Sequence, residues 1–251
     1  MNPISIVGAG PGAIDLITVR ALDRLKCADA IFWTDSLVPE SIVDLAPKDC
    51  ERIKTSSLTL EEIIPMMIDR NKNGKRVVRL HDGDPCLYGA ISEQIHALNK
   101  ANIETEVIPG VSAYQATAAS LQTELTLPGE IQTIILTRAG GRTGMPARES
   151  LANLARTRAS ICLYLSARHI ESAQKALLEH YPSDTPVAIG YRVSWADESI
   201  KLVSLKDMTS TSKEMGLIRT TLYIISPALS RGKTRSKLYS SSHSHLFRQG
   251  K

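Results

Sequence analysis

The 251-residue chain is predicted to be an α/β protein of two domains. Three observations lead there. Short β-branched runs alternate with amphipathic stretches through the first half. The rhythm changes after Thr126-Leu127-Pro128-Gly129. The length suits two domains of about 100–150 residues better than one large core.

Ile4 to Val7 is a β-branched strand that stops at Gly8-Ala9-Gly10-Pro11-Gly12. A helix follows, with Leu16, Val19, Leu22 and Leu25 at helical spacing along one face. Ala30 to Trp33 is the second strand and ends at Thr34-Asp35. Leu60 to Asn73 reads as a helix closed by Gly74. Val77 to Leu80 is a third strand, followed by an acidic turn and a helix from about Tyr88 to Lys100. Glu104 to Ile108 is a fourth strand, and Pro109-Gly110-Val111-Ser112-Ala113 leads into a helix ending at Leu121. Such alternation with short connections predicts a mostly parallel, Rossmann-like sheet with helices on both faces over residues 1–126.

Beyond the Leu-Pro-Gly link the strands are Thr133 to Thr137, Ile161 to Leu165, Val187 to Gly190, Ile200 to Leu205 and Thr221 to Ile225. Several are separated by too little chain for a helix, so residues 127–230 are expected to form a mixed or largely antiparallel sheet with helices. No internal repeat is visible.

Composition narrows the function classes. The net charge is +4, yet residues 231–251 hold six basic side chains (Arg231, Lys233, Arg235, Lys237, Arg248 and Lys251) and no acidic one. Without them 24 basic residues face 26 acidic ones, a body charge of −2. That is not the footprint of a nucleic-acid binder. The tail reads as a solvated end, or alternatively as a cationic flap over a polyanionic ligand, with Leu238-Tyr239 and Leu246-Phe247 as anchors. No apolar run approaches the ~20 residues of a membrane helix, and Met1-Asn2-Pro3 lacks the basic start of a signal peptide. Cys27, Cys50, Cys86 and Cys162 are scattered, which indicates reduced thiols in a cytoplasmic protein and no metal site.

The most informative stretch is Arg79-Leu80-His81-Asp82-Gly83-Asp84-Pro85. Parallel strands deliver ligand-binding loops at their carboxyl ends. A turn with two carboxylates repels phosphate and suits hydroxyls, an ammonium or a sulfonium. Gly8-Ala9-Gly10-Pro11-Gly12-Ala13 also satisfies the dinucleotide spacing G-x-G-x-x-G/A, with Asp35 where a ribose-binding acid belongs. An NAD-dependent oxidoreductase is therefore one reading. Pro11 argues against it by removing an N–H from the loop that should cradle a pyrophosphate. Glycines that serve only a tight strand–helix turn are the plainer reading.

The ordered set GAGPG, Asp35-Ser36-Leu37-Val38, HDGDP, Ile108-Pro109-Gly110-Val111-Ser112-Ala113, and Thr137-Arg138 with Gly141-Arg142-Thr143 resembles the tetrapyrrole (corrin/porphyrin) methylases. Leu163-Tyr164-Leu165-Ser166-Ala167, Gly190-Tyr191-Arg192-Val193-Ser194-Trp195 and Arg235-Ser236-Lys237-Leu238-Tyr239 are most similar to the members that methylate carbon 11 of precorrin-4 in cobalamin biosynthesis. Trp33-Thr34-Asp35 departs from the Tyr-Ala-Asp or Tyr-Ala-Gly expected there. The alternative within the family is a methylase acting on precorrin-2 or precorrin-3B. A relative with a macromolecular substrate, such as a diphthine synthase or a ribosomal RNA ribose methylase, fits the acidic body poorly.

The resemblance implies a homodimeric two-domain enzyme that binds S-adenosylmethionine in the cleft between its domains. It places the methyl donor against Pro11, Gly83, Asp84, Leu87, Ser112, Ala113, Leu165, Ala188 and Pro227. Asp84 complements a cationic sulfonium, or is a turn residue bonding its own backbone. Precorrins carry many carboxylates, which guanidinium groups grip in bidentate fashion. Arg138 and Arg142, and secondarily Arg168 and Arg192, are the expected substrate contacts. No nucleophile is assigned, and His81 reads as a turn or packing residue.

Overall fold

The computed structural model describes residues 2–140, 144–230, 236, 240, 241, 243, 244 and 246–249. Its contacts divide into two compact units: Met1–Ala116 with Arg192–Glu198, and Thr117–Tyr191 with Ser199–Lys251. The division falls ten residues before the expected boundary at 126, and the excursion at 192–198 is one that no single boundary along the chain can express.

The first unit is built on β1 (Ile4–Gly8), α1 (Val19–Lys26), β2 (Ala30–Trp33), α2 (Glu40–Val43), β3 (Glu51–Lys54), α3 (Leu60–Lys72), β4 (Val77–His81), α4 (Ile91–Lys100), β5 (Thr105–Ile108) and the start of α5 (Ala113–Ser120). Its five strands lie in the order β3-β2-β4-β1-β5 and pair in parallel throughout. Every residue of β1, β2 and β4 is buried, as central strands of a parallel sheet covered on both faces must be. Val7, Ile31, Trp33 and Leu80 pack against Ala21 and Leu25 of α1 and Ile42 and Val43 of α2. Ile4, Phe32 and Val77 pack on the opposite side against Ile63, Ile64 and Met67 of α3 and Leu98 of α4.

Strand order determines where a ligand can bind. The chain leaves β1 over one face of the sheet and crosses β4 to reach β2. It leaves β4 over the other face and crosses β1 to reach β5. Adjacent strands whose connections diverge to opposite faces form a topological switch point, and here it lies at the carboxyl ends of β1 and β4.

Several expectations need correction. Leu16 lies in a 3-10 turn, Ile14–Leu16, outside the helix. Thr18 caps α1, its hydroxyl accepting from the Ala21 N–H at 3.3 Å, and Ala21 and Leu25 form the buried face. Val19 is 77 % exposed, because it stands two residues, about 200° around the helix, from Ala21 on the buried face. α4 begins at Ile91 and not near Tyr88, since Tyr88 and Ala90 hold left-handed backbone (φ +60° and +49°). The edge strand β3 went unforeseen because Glu51-Arg52-Ile53-Lys54 reads as polar. Arg70 (2.7 Å) and Lys75 (2.9 Å) pair with Glu51, and charge of this kind protects a sheet edge from further pairing.

The second unit holds β6 (Ile134–Arg138), α6 (Leu151–Ala155), β7 (Ser160–Tyr164), α7 (Ile170–Leu178), β8 (Pro186–Tyr191), β9 (Ser199–Ser204), α8 (Met208–Glu214) and β10 (Thr221–Ile225). The sheet order is β6-β7-β10-β8-β9. β6 and β7 are parallel and the other pairings antiparallel, so the sheet is mixed as expected. A helix fits between every consecutive pair except β8 and β9, fewer direct connections than the sequence spacing suggested. Leu151, Ile161, Leu163, Ile170, Leu177, Val187, Met208 and Tyr223 form one core between these helices and the sheet.

Candidate functional site

Three loops of the first unit meet at the switch point: GAGPG after β1, HDGDP after β4 and PGVSA after β5. Backbone joins them directly. Ala9 N–H donates to the His81 carbonyl (2.7 Å), while Gly10 and Gly83 exchange two hydrogen bonds (3.2 and 2.8 Å). Three glycines make this approach possible. A Cβ on Gly8 would lie 2.7 Å from the Gly110 nitrogen and 2.7 Å from the Gly83 carbonyl oxygen; one on Gly110 would lie 2.1 Å from that same oxygen. Real side chains do not tolerate such distances.

Asp84 ties the assembly together. Its Oδ1 accepts from the Cys86 N–H at 2.8 Å and its Oδ2 from the Gly110 N–H at 3.0 Å. The carboxylate thus orders its own turn and fastens it to the next loop, the turn-residue role weighed from sequence. Asp82 is exposed beside it. Leu87 N–H closes the turn onto the Asp84 carbonyl at 3.1 Å. Ser112 is buried and its N–H donates to the Gln115 side chain at 2.9 Å, half of a capping box that starts α5 at Ala113. Pro11, Gly83, Asp84, Leu87, Ser112 and Ala113 are therefore brought together.

Beneath the acidic turn lies a buried cation. Arg79, 7 % exposed, donates to the Phe32 carbonyl and Thr55 hydroxyl (both 3.2 Å) and to Gln94 Oε1 (3.3 Å). Burial lowers its pKa to about 10. Burial, and then the Arg79 charge, push His81 down to about 3. His81 is neutral at physiological pH, which suits packing and not proton transfer. Asp35 is drawn below the usual carboxylate range mainly by the Ser56 hydroxyl. Gly8 and Gly10 are accounted for by contacts within the protein, which removes one ground for the dinucleotide reading.

The second unit offers a smaller cluster at the carboxyl ends of its parallel pair, β6 and β7. Ser166 Oγ accepts from the Ala139 N–H (2.7 Å) and donates to the Tyr164 carbonyl (2.6 Å). This places Arg138 opposite Tyr164 and next to Leu165, which is 66 % exposed with left-handed backbone (φ +51°). Strain of this kind concentrates at functional positions. Arg138 donates to the Gly144 carbonyl at 2.9 Å, and Arg168 is exposed in the following turn. Pro227 opens a half-buried 3-10 turn. Ala188 is fully buried within β8 and presents no surface to a ligand; inside a central strand even a methyl group is covered. Arg142 lies outside the described residues.

Arg192 belongs to the first unit by its contacts. It pairs with Asp197 at 2.6 Å and lies 4.8 Å over the Trp195 ring. Trp195 in turn reaches the Pro11 loop, 184 residues away. Sequence reasoning missed this contact, since no local spacing reports it.

The family model described as Tetrapyrrole (Corrin/Porphyrin) Methylases matches residues 3–209. A cobalt-precorrin-4 C(11)-methyltransferase of Methanocaldococcus jannaschii is 42 % identical over 248 residues, covering 98 % of this chain and 96 % of the relative. A precorrin-4 C(11)-methyltransferase of Pseudomonas aeruginosa is 40 % identical over 248 residues, covering 98 % and 99 %. The crystal structure of the cobalt precorrin-4 methyltransferase CbiF superposes with a TM-score of 0.87 at 39 % identity, covering 90 % of this chain and 95 % of that one.

Proposed function

The chain belongs to the tetrapyrrole (corrin/porphyrin) methylases, and on that premise we propose that it transfers a methyl group from S-adenosylmethionine to carbon 11 of precorrin-4, or of its cobalt form, in cobalamin biosynthesis. The observation that carries this reading is near-full-length identity of about 40 % to enzymes named for that reaction. The identities of 42 % and 40 % support the cobalt-loaded and the metal-free substrate alike.

The donor is assigned to the loops around Pro11, Gly83, Asp84, Leu87, Ser112 and Ala113; Leu165 and Pro227 are carried by the family resemblance alone. An electron-rich ring carbon attacks the methyl group, its electron pair forms the new C–C bond, and the S–CH₃ bond breaks to leave a neutral thioether. No side chain need serve as nucleophile. The protein's task is to hold carbon, methyl and sulfur in line, an orientation effect of up to about 7–11 kcal/mol. Substrate carboxylates are assigned to Arg138 and Arg168, and to Arg142 outside the described residues. Arg192, engaged with Asp197, contributes through its loop.

The cytoplasm is the proposed location, in keeping with four cysteines that form no disulfide. Two copies are expected to form the enzyme. Ile134 and Leu136, exposed on the edge strand β6, provide apolar surface for a second copy, and light scattering of the purified protein reads the state directly. Incubation with methyl-labelled donor and either metal-free or cobalt-loaded precorrin-4 tests the activity. One labelled methyl per macrocycle is the expected result, and absence of label from both substrates contradicts the assignment.

A further inference from the structure

The Trp195 indole N–H donates to the Pro11 carbonyl at 3.0 Å, and the Ala13 N–H donates to Ser194 Oγ at 2.9 Å. The segment 192–198 therefore clasps the GAGPG loop on both sides of Gly12. Gly12 is buried, and a Cβ there would stand 2.2 Å from the indole Cδ1. The last glycine of the motif is thus required by the ring that seats on it. The ring itself is held by the Arg192 guanidinium above it, which Asp197 anchors. Arg192 (φ +44°) and Ser194 (φ +67°) both hold left-handed backbone that non-glycine residues rarely adopt. Two such residues in a seven-residue segment are a cost that the surrounding contacts must offset.

The GAGPG loop cannot stiffen itself. Pro11 has no N–H to donate, and Gly10 and Gly12 flank it with backbone that no side chain restricts. Its carbonyl needs a donor from elsewhere, and Trp195 is that donor. We propose that Trp195, seated on Gly12 and bonded to Pro11, is a positioning residue that preforms the loop for the methyl donor. The inference rests on the assignment of Pro11 to the donor site made under Proposed function. A loop held in its binding shape loses less freedom on binding, and the gain appears as affinity for the donor and not as speed of the chemical step.

The test compares wild-type protein with Trp195→Phe, which keeps an apolar ring and removes the N–H, and with Ser194→Ala, which removes the other half of the clasp. Calorimetry with S-adenosylhomocysteine gives the dissociation constant, and steady-state kinetics gives KM for the donor and kcat. Loss of one neutral hydrogen bond is expected to weaken binding about two- to tenfold in each variant. KM for the donor should rise by the same factor, with kcat at saturating donor within about twofold of wild type. A residue that merely supports the fold would lower Tm and leave both constants in place. Wild-type dissociation constants in folded Trp195→Phe and Ser194→Ala overturn the proposal. Should Trp195→Phe fail to fold, Ser194→Ala decides alone. If the wild-type protein does not bind the homocysteine product, the donor assignment itself falls, a result distinct from failure of the clasp.

Discussion

Asp84 Oδ2 accepts the Gly110 N–H at 3.0 Å, so one carboxylate locks the loop after β4 to the loop after β5. Its other oxygen takes the Cys86 N–H. Asp84→Ala leaves two backbone donors without their charged acceptor. It should lower stability by about 1–3 kcal/mol, and Tm by about 2–4 °C for each kcal/mol in a chain of this size. Affinity for S-adenosylhomocysteine should fall with it. Asp84→Asn, which keeps one acceptor oxygen, is expected to lie between Asp84→Ala and wild type. Thermal melts and calorimetry on the three proteins check the order.

Gly8, Gly83 and Gly110 permit a contact made of backbone alone. Gly110→Ala places a methyl 2.1 Å from the Gly83 carbonyl oxygen, whereas a Cβ at Gly140 meets nothing within 4 Å. Gly110→Ala should therefore lose about 1–3 kcal/mol or more to overpacking, and Gly140→Ala should melt close to wild type. Equal melting temperatures for the two variants would mean that the three loops are not in contact.

His81 gives the fold a pH dependence whose sign is fixed. Burial holds its folded pKa near 3, below the ordinary 6.5. The unfolded chain then binds a proton that the folded one refuses. Stability is complete above pH 6.5 and is lost progressively as the pH falls toward 3, with a limiting slope of about 1.4 kcal/mol per unit for one proton. Between pH 6.5 and 5, before the carboxylates titrate, denaturation at stepped pH should show a slope that rises from about half this value toward it. His81→Gln should flatten it.

Arg138 stands at the carboxyl end of β6 with a turn fastened by Ser166 beside it. Arg138→Ala should raise KM for the tetrapyrrole about tenfold, the scale of one charge-assisted hydrogen bond, and leave the dissociation constant of S-adenosylhomocysteine within about twofold. Unchanged KM in the purified variant would remove Arg138 from the substrate site.

Strand-level structure was legible because it is written locally. The apolar runs at Ile4, Ala30 and Val77 and the turns that end them suffice to predict a parallel sheet with its loops at one end. What escaped has a physical reason in each case. β3 is a charged edge whose side chains pair with Arg70 and Lys75, so it shows no apolar alternation. Tyr88 and Ala90 adopt left-handed backbone without being glycine, which delays α4 by a few residues and leaves no composition signal. Of the site, the acidic turn and the glycines were visible. Their reasons were not: Gly8 and Gly110 answer to each other across the sheet, and Gly12 answers to an indole far along the chain. Ala188 was a donor contact implied by the family resemblance alone, and its place in β8 buries it completely.

The account stands most directly on where the methyl group goes. Carbon NMR of the macrocycle made with donor labelled in its methyl carbon should show a single enriched methyl attached at carbon 11. A label on another ring carbon, or an unlabelled macrocycle beside intact donor, contradicts it.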